Sequence, residues 1–302
     1  MPSIRQNVVA SMTRLYPFYS GCGSLANHAF VRALAGRAPG LAWRRVRGGN
    51  FVAAPLGDYV GRAIFFTGEL DRKISWICSR IIRAGDTVLD IGANLGSVTF
   101  LMSALVGKNG CVHAFEPNPR LQELIDLGVQ RNGSTNIVLH RVALGAARSE
   151  LELTIPADNA GCASLVPTRQ RSGDTSVRVP VVSLSEELAD AEIERVRLMK
   201  LDVEGYEPQV LHGAEAFLTN TPPDAILFEL NDNARTLAEH PTIKMLRAFG
   251  YGFFSIPRCF IKMRLRSFNP EHYDRASIGH DFLGVRIGTV YEEIATLVNA
   301  SR

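Results

Sequence analysis

Six carboxylates and one amide stand where apolar runs give way to loops, and residues of these types at such places could bind a cation, hold a sugar or take a proton. Asp90 and Asn94 flank Gly92 in DTVLDIGANLG (Asp86 to Gly96), and Glu116 ends the apolar run Cys111 to Phe115. Asp202 and Glu204 follow an apolar run beginning at Leu198, Glu229 closes Ala225 to Phe228, and Glu69 lies in FFTGEL. Ionised carboxylates accept hydrogen bonds from hydroxyls and serve as general bases. Glu116 lies twenty residues after Gly96, and an acid at the end of a second strand at that spacing reaches both hydroxyls of a ribose.

The loop around Gly92 narrows the ligand. Thr87 to Ile91 is short, β-branched and apolar, which suits a strand buried on both faces of a parallel sheet. Gly92 and Gly96 let a ligand approach the main chain. Ser97 to Val106 then carries a crowded helical pattern ended by Gly107. A strand, a tight turn and a helix N-terminus present free N–H groups at a sheet's carboxyl edge. A dinucleotide loop requires G-x-G-x-x-G, but here Asn94 replaces the second glycine, and position 99 holds Thr99 rather than Gly or Ala. A pyrophosphate therefore fits poorly. A ligand with an amino-acid tail could use the Asp90 carboxylate and the Asn94 amide, and S-adenosylmethionine has such a tail.

Three motifs in order, VLDIGANLGSVTF from Val88, FEPNP from Phe115 and KLDVEGYEPQVLHG from Lys200, resemble the FkbM family of S-adenosylmethionine-dependent methyltransferases over about residues 60–290. The resemblance implies a class I methyltransferase fold: α/β, with a doubly wound, mostly parallel, seven-stranded Rossmann-like sheet. It implies a domain at 60–302 with a β insertion at about 150–184, preceded by a helical extension at 1–59. The implied activity is O-methylation of a hydroxyl on a sugar, a polyketide or another small molecule. On this reading Glu69, Asp90, Gly92, Asn94, Gly96, Glu116 and Asp202 contact the cofactor. Glu69 would reach it from the N-terminal side, or else help cap the next helix. The family's usual Leu-Asp pair is Leu184-Ser185 here, where Ser185 can still cap a helix.

The remaining elements follow from pattern. Pro119 to Asn132 reads as a helix, and Ile137 to Leu144, Leu198 to Val203, Ala225 to Leu230 and Phe282 to Ile287 as strands. Within the insertion, Leu151 to Ile155 and Val177 to Val182 are β segments around a polar loop. Asp202 and Glu204, one residue apart, point the same way if the chain there is extended. With Glu229 and Asn231 on the neighbouring strand they form a polar cluster around the acceptor. Any of Asp202, Glu204 and Glu229 can be the base, and the sequence does not choose. A divalent metal is the less favoured reading, because no compact ligand motif is present and no histidine has metal-ligand spacing. Among the histidines His280 is the best placed acid or base, and no role is assigned to it.

At 302 residues, 46% hydrophobic and with a net charge of +3, the chain supports one sizeable core and gives no argument for nucleic acid. Arg44, Arg45 and Arg47, and Arg258, Lys262, Arg264 and Arg266, form local basic clusters that suit solvent, an anionic substrate or peripheral contact with phospholipid. Residues 4–18 read as an amphipathic helix that packs Val8, Val9, Met12 and Leu15 on its own domain. Five dispersed cysteines and no apolar run of about 18 residues point to a reduced, cytoplasmic protein. A nicotinamide-dependent oxidoreductase and a non-catalytic cofactor-binding protein are the alternatives; Asn94 and Thr99 count against the first.

Overall fold

Ser3 and Gln6 start the first helix with a reciprocal capping box, Ser3 Oγ accepting from the Gln6 N–H at 3.1 Å and Gln6 Oε1 from the Ser3 N–H at 2.8 Å. The computed structural model describes residues 2–36, 40–166, 171–230, 237–258, 260–272 and 280–299. Helices α1 (Ile4–Thr13), α2 (Cys22–Asn27) and α3 (Ala29–Ala35) are followed by an antiparallel hairpin of β1 (Leu41–Arg45) and β2 (Phe51–Pro55), then by α4 (Tyr59–Thr67). The N-terminal stretch thus adds a hairpin to the expected helices. Val9, Val52 and Ile64 share a core with Phe100, Leu121 and Ile125 from farther along the chain. Asn132 ties the hairpin down, accepting from the Phe51 N–H at 2.7 Å and donating to Phe51 O at 2.8 Å.

From α5 (Arg72–Ile81) the chain alternates through β3 (Thr87–Ile91), α6 (Ser97–Val106), β4 (Cys111–Phe115), α7 (Pro119–Asn132) and β5 (Ile137–His140). Next come β6 (Ala143–Leu144), then β7 (Ser149–Ile155) and β8 (Thr175–Val182) of the insertion, and α8 (Leu184–Glu187). The chain then continues through β9 (Leu198–Leu201), α9 (Glu207–Gly213), α10 (Glu215–Asn220), β10 (Ala225–Glu229) and α11 (Pro241–Ala248). It ends with β11 (Tyr251–Ile256), β12 (Arg266–Phe268), β13 (Asp281–Arg286) and α12 (Thr289–Asn299). The main sheet has the order β12-β11-β13-β10-β9-β3-β4-β5. Strands β5, β4, β3, β9 and β10 run parallel, and β13 is antiparallel to both its neighbours. The result is a Rossmann-like, doubly wound α/β sheet in which the three-residue edge strand β12 joins the seven strands expected.

Alternation along the strands fixes the two layers. Val88, Leu198 and Leu227 pack with Ile77 of α5, Met102 of α6 and Ile294 of α12, whereas Leu89, Met199 and Ile226 pack with Val210, Leu218 and Leu246 of α9 to α11. The strand order reverses between β3 and β9. Sheets of this kind bind ligands in the crevice beyond the carboxyl ends of such a pair.

Three sequence expectations are corrected. The third strand stops at His140; Ala143–Leu144 leaves the main sheet to pair with β8 in a separate β6-β8-β7 sheet, where Ala143, Leu153, Val179 and Val181 bury one another. Helix α1 ends at Thr13, whose Oγ1 donates to Phe66 O at 2.6 Å, and of its predicted apolar face only Val9 is buried. Gln6 and Ala10 complete the inner face, while Val8, Met12 and Leu15 are exposed. Ser183 rather than Ser185 caps α8, accepting from the Glu186 N–H at 3.1 Å, and Ser185 Oγ instead accepts from the Phe217 N–H.

Candidate functional site

The loops after β3 and β9 meet backbone to backbone. Gly92 has φ of 80°, and a Cβ there would lie 1.9 Å from Asp202 O, so only glycine fits. Asn94 (φ 54°) and Glu204 (φ 53°) are the non-glycine residues with left-handed backbone among the described residues, and they sit in these two loops. Such conformations are costly and gather at ligand sites, where the surrounding structure holds them. Asn94 is held from two sides: its N–H donates to Glu116 Oε2 at 2.7 Å, and its Oδ1 accepts from the Leu95 N–H at 2.8 Å. Glu116 Oε1 accepts from the Asn118 N–H at 2.9 Å. Burial pushes Glu116 up to about 7 against the pull of those two N–H groups. Each of its oxygens keeps a second lone pair for a ligand hydroxyl.

Beneath the loops lies a buried charge cluster. Asp90 and Lys200 are register partners on the adjacent parallel strands β3 and β9. Lys200 Nζ donates to Gly92 O at 3.0 Å and stands 3.4 Å from Asp90 Oδ1 and 3.3 Å from Asp202 Oδ2. Burial alone would lower the Lys200 pKa, but the carboxylates of Asp202 and Asp90 outweigh it and raise it. Thr99 Oγ1 donates to Asp90 Oδ2 at 2.6 Å, which explains why position 99 carries a hydroxyl residue rather than Gly or Ala.

Two cavities meet at Gly92, Asn94 and Asp202. The larger, about 590 Å³, is bordered by Glu69, Lys73, Glu229 and Asp281, and the smaller by Glu116, Glu204 and Leu144. Asp202 borders both. Glu204 does not share the large cavity with Asp202 and Glu229, because β9 ends at Leu201 and the left-handed turn at Glu204-Gly205 breaks the alternation an extended chain would give. It faces the Cys162 side chain of the insertion; burial first, then Asp202, pushes it up to about 7. Glu229 is pushed up to about 8 by burial and by the carboxylates of Asp202, Asp281 and Glu204, with Lys73 opposing. Asp90 and Gly96 border neither cavity: Asp90 is fully buried behind the loop, and Gly96 begins α6 with φ of 76° against the Phe100 ring. Asn231 lies outside the described residues.

Glu69 is free of the capping role considered for it. Asp71 caps α5, accepting from the Lys73 N–H at 2.7 Å, while Glu69 Oε2 is buried without a hydrogen-bond partner. The insertion covers the small cavity. The Ala160 N–H donates to Asp58 Oδ2 at 2.7 Å, and a Cβ on Gly161 would come within 2.6 Å of Asn94 Nδ2.

The sequence profile described as the methyltransferase FkbM domain matches residues 90–253, more than half of the chain. The chain belongs to the FkbM methyltransferase-domain family. A curated relative, Methyltransferase 1 of Beauveria bassiana, is 27% identical over 145 residues, and the match spans 42% of this chain and 58% of that protein's length. Solved structures show weaker likeness. An FkbM methyltransferase from Methylobacillus flagellatus is 13% identical with a TM-score of 0.39, covering 75% of this chain and 53% of that one. Fibrillarin from Aeropyrum pernix with natively bound S-adenosyl-L-methionine is 15% identical with a TM-score of 0.40, covering 83% and 84%.

In this FkbM domain two lysines carry roles that the motif reading passed over. Lys200 is the one charged residue in the buried strand LMKL, and a lysine there has to be paired; that was the available signal. Lys73 is buried at the cavity wall, bonded to Asp281 and 3.3 Å from Asp71. No pattern near position 73 announces a partner more than two hundred residues away. His280 borders the large cavity, its Nδ1 donating to Leu230 O at 3.1 Å. Among the described residues no group of three or more His, Cys, Asp or Glu is placed to hold a metal ion, and no helix is long and apolar enough to cross a membrane.

Proposed function

We propose that the chain is an S-adenosylmethionine-dependent methyltransferase of the cytoplasm acting on a hydroxyl of a sugar, a polyketide or another small molecule. The observation that carries this reading is Glu69 Oε2, a buried carboxylate oxygen with no hydrogen-bond partner at the wall of the large cavity. Arg72 Nε stands 3.8 Å from the other oxygen, Glu69 Oε1, which leaves Oε2 open to a donor from the cavity, and the cofactor's ammonium is one. Glu116, at the end of β4 across Asn94, has the lone pairs and position for ribose hydroxyls. Asp202, between the cavities, supplies negative charge where a sulfonium would lie. The carboxylates of Glu116 and Asp202 beside the glycine loop oppose a pyrophosphate there and so disfavour a nicotinamide dinucleotide.

Bound there, the cofactor supplies an electrophilic methyl group on a positively charged sulfur. The chain's part is to hold the acceptor in line and take its proton. Glu229 is the group in the large cavity best suited to that proton, because its raised pKa makes it a stronger base than an exposed carboxylate. The insertion lines the small cavity with Leu153, Ala160, Ala163 and Leu165, apolar side chains that would shield the nucleoside side from water.

Titration calorimetry tests the reading: heat is expected with S-adenosylmethionine and with its demethylated product, and none with NADH. No heat with either sulfur compound overturns it. Glu116→Gln should weaken binding of the demethylated product about thirtyfold, because the amide must turn its NH₂ toward one of the two backbone N–H donors and loses a charged acceptor for the ribose. Unchanged affinity in this variant would remove Glu116 from the ribose site.

A further inference from the structure

Helix α1 displays an apolar row that nothing in the described structure covers. Ile4, Val8 and Met12 recur at helical spacing, Leu15 follows in the turn just past the helix end, and each is more than half exposed, while Gln6, Val9 and Ala10 hold the opposite face to the protein. The row is fixed in place. The Ser3–Gln6 capping box starts the helix, Arg5 donates to the carbonyls of Ala33 and Leu34, and Arg14 Nη2 donates to Arg45 O at 3.0 Å. Directly after Leu15 the chain enters the mouth of the large cavity, which Tyr16 and Ser20 border. There Phe18 packs edge to face on Phe260, with ring centroids 5.5 Å apart. Phe260 and the following Ile261 are also more than half exposed, so apolar surface extends from the helix to the cavity mouth.

Charge along the two stretches of chain that carry this surface is of one sign. Residues 1–57 contain seven arginines and no acidic residue, and residues 257–270 contain Arg258, Lys262, Arg264 and Arg266 and again no acid. These two stretches hold eleven of the 33 basic residues and none of the 30 acidic ones, so the rest of the chain is net negative despite the overall +3. Lys262, Arg264 and Arg266 are exposed while the alternating Met263 and Leu265 are buried, which sets the three charges on one side.

We infer that this face seats the protein on an anionic phospholipid surface, with the apolar row of α1 and the Phe260–Ile261 turn entering the headgroup boundary and the arginines and Lys262 meeting lipid phosphates. An apolar row flanked by cations fits that partner in both of its layers. A nucleic acid would leave the exposed Ile, Met, Leu and Phe side chains without an apolar partner, and a second copy of the chain would bring like charges together. The large cavity then opens beside the membrane, within reach of an acceptor carried there.

Flotation of the full chain with vesicles tests this. Binding to phosphatidylcholine vesicles containing phosphatidylglycerol is expected to exceed binding to phosphatidylcholine alone at least tenfold and to weaken as salt is raised, about one order of magnitude being the effect of a few interfacial cations. Val8→Asp/Met12→Asp should lower the anionic-vesicle partition about tenfold with an unchanged circular dichroism spectrum and melting temperature, both side chains being exposed, and Met12→Leu should retain it. Phe260→Ser/Ile261→Ser should also weaken it. Equal binding to both vesicle types, full binding by the Val8→Asp/Met12→Asp variant, or a concentration-dependent dimer that this variant abolishes would each overturn the inference. So would salt-sensitive binding to RNA that exceeds binding to anionic vesicles.

Discussion

Replacing Glu229 with glutamine should lower the rate of methyl transfer about 10³-fold while leaving cofactor affinity within a few fold, the loss expected when a positioned general base is removed. The size follows from where the carboxylate stands: at the end of β10, on the wall of the large cavity, with Asp202 on the neighbouring strand end. Its pKa of about 8 sets the pH dependence. A base works ionised, so kcat/KM in the intact protein should rise with pH through about 8 and level off above it. The Glu229→Gln variant should lack that rise. A variant rate within tenfold of the parent, or an unaltered profile, would move the proton to another group.

The same shift has a consequence for stability, with the opposite slope. Glu116 and Glu204 at about 7 and Glu229 at about 8 all keep a proton in the folded chain at pH values where an unfolded glutamate, at 4.5, has lost it. The folded state therefore binds more protons across that window. Stability from these groups is complete below about 4.5 and is lost as pH rises through about 8. The melting temperature of the ligand-free protein should fall over that range, and Glu229→Gln should flatten its upper part.

Lys200→Met should destabilise the fold by about 3–5 kcal/mol, as removal of one partner of a buried ion pair does. The burden falls on Asp90, fully buried and left with Thr99 alone, and on Gly92 O, which loses its donor. Asp202, with its side chain 37% exposed, is rescued by water and adds little. Urea denaturation measures the loss. Adding Asp90→Asn to Lys200→Met should recover a good part of it, because the second change removes the stranded charge. A single variant within about 1 kcal/mol of the parent would show that the Asp90–Lys200 pair contributes little.

The parts of the fold legible in the sequence are those whose limits are set by neighbours along the chain. β3, α6, β4 and α7 have the boundaries expected, since a central parallel strand reads as an apolar run, Gly107 and Gly133 stop the helices, and Pro119 starts one. Where distant partners decide, the reading fails. Ile137 to Leu144 looks like one strand, yet β8 draws its last two residues into another sheet. Asp202 and Glu204 look like a matched pair, yet the backbone turns between them. The site was legible as a set of acids, but not as two cavities. Lys73 and Lys200, which neutralise part of that set, owe their places to contacts across the sheet.

The position of β3 between β4 and β9 also bears on how the pocket comes into being. The glycine loop forms early in the chain, next to its local partner β4, but Gly92 acquires its opposing wall and its carbonyl's donor only when β9 arrives more than one hundred residues later. A nascent chain that has emerged only as far as the insertion therefore carries the complete DIGANLG motif with one edge of β3 bare. The wall of the crevice beside Gly92 is complete only after residues 198–205 have docked. On the proposed function, the late closing of that seam would couple cofactor capture to completion of the sheet, and the ligand would then act as a clasp on a nearly finished fold and not as a template for starting one.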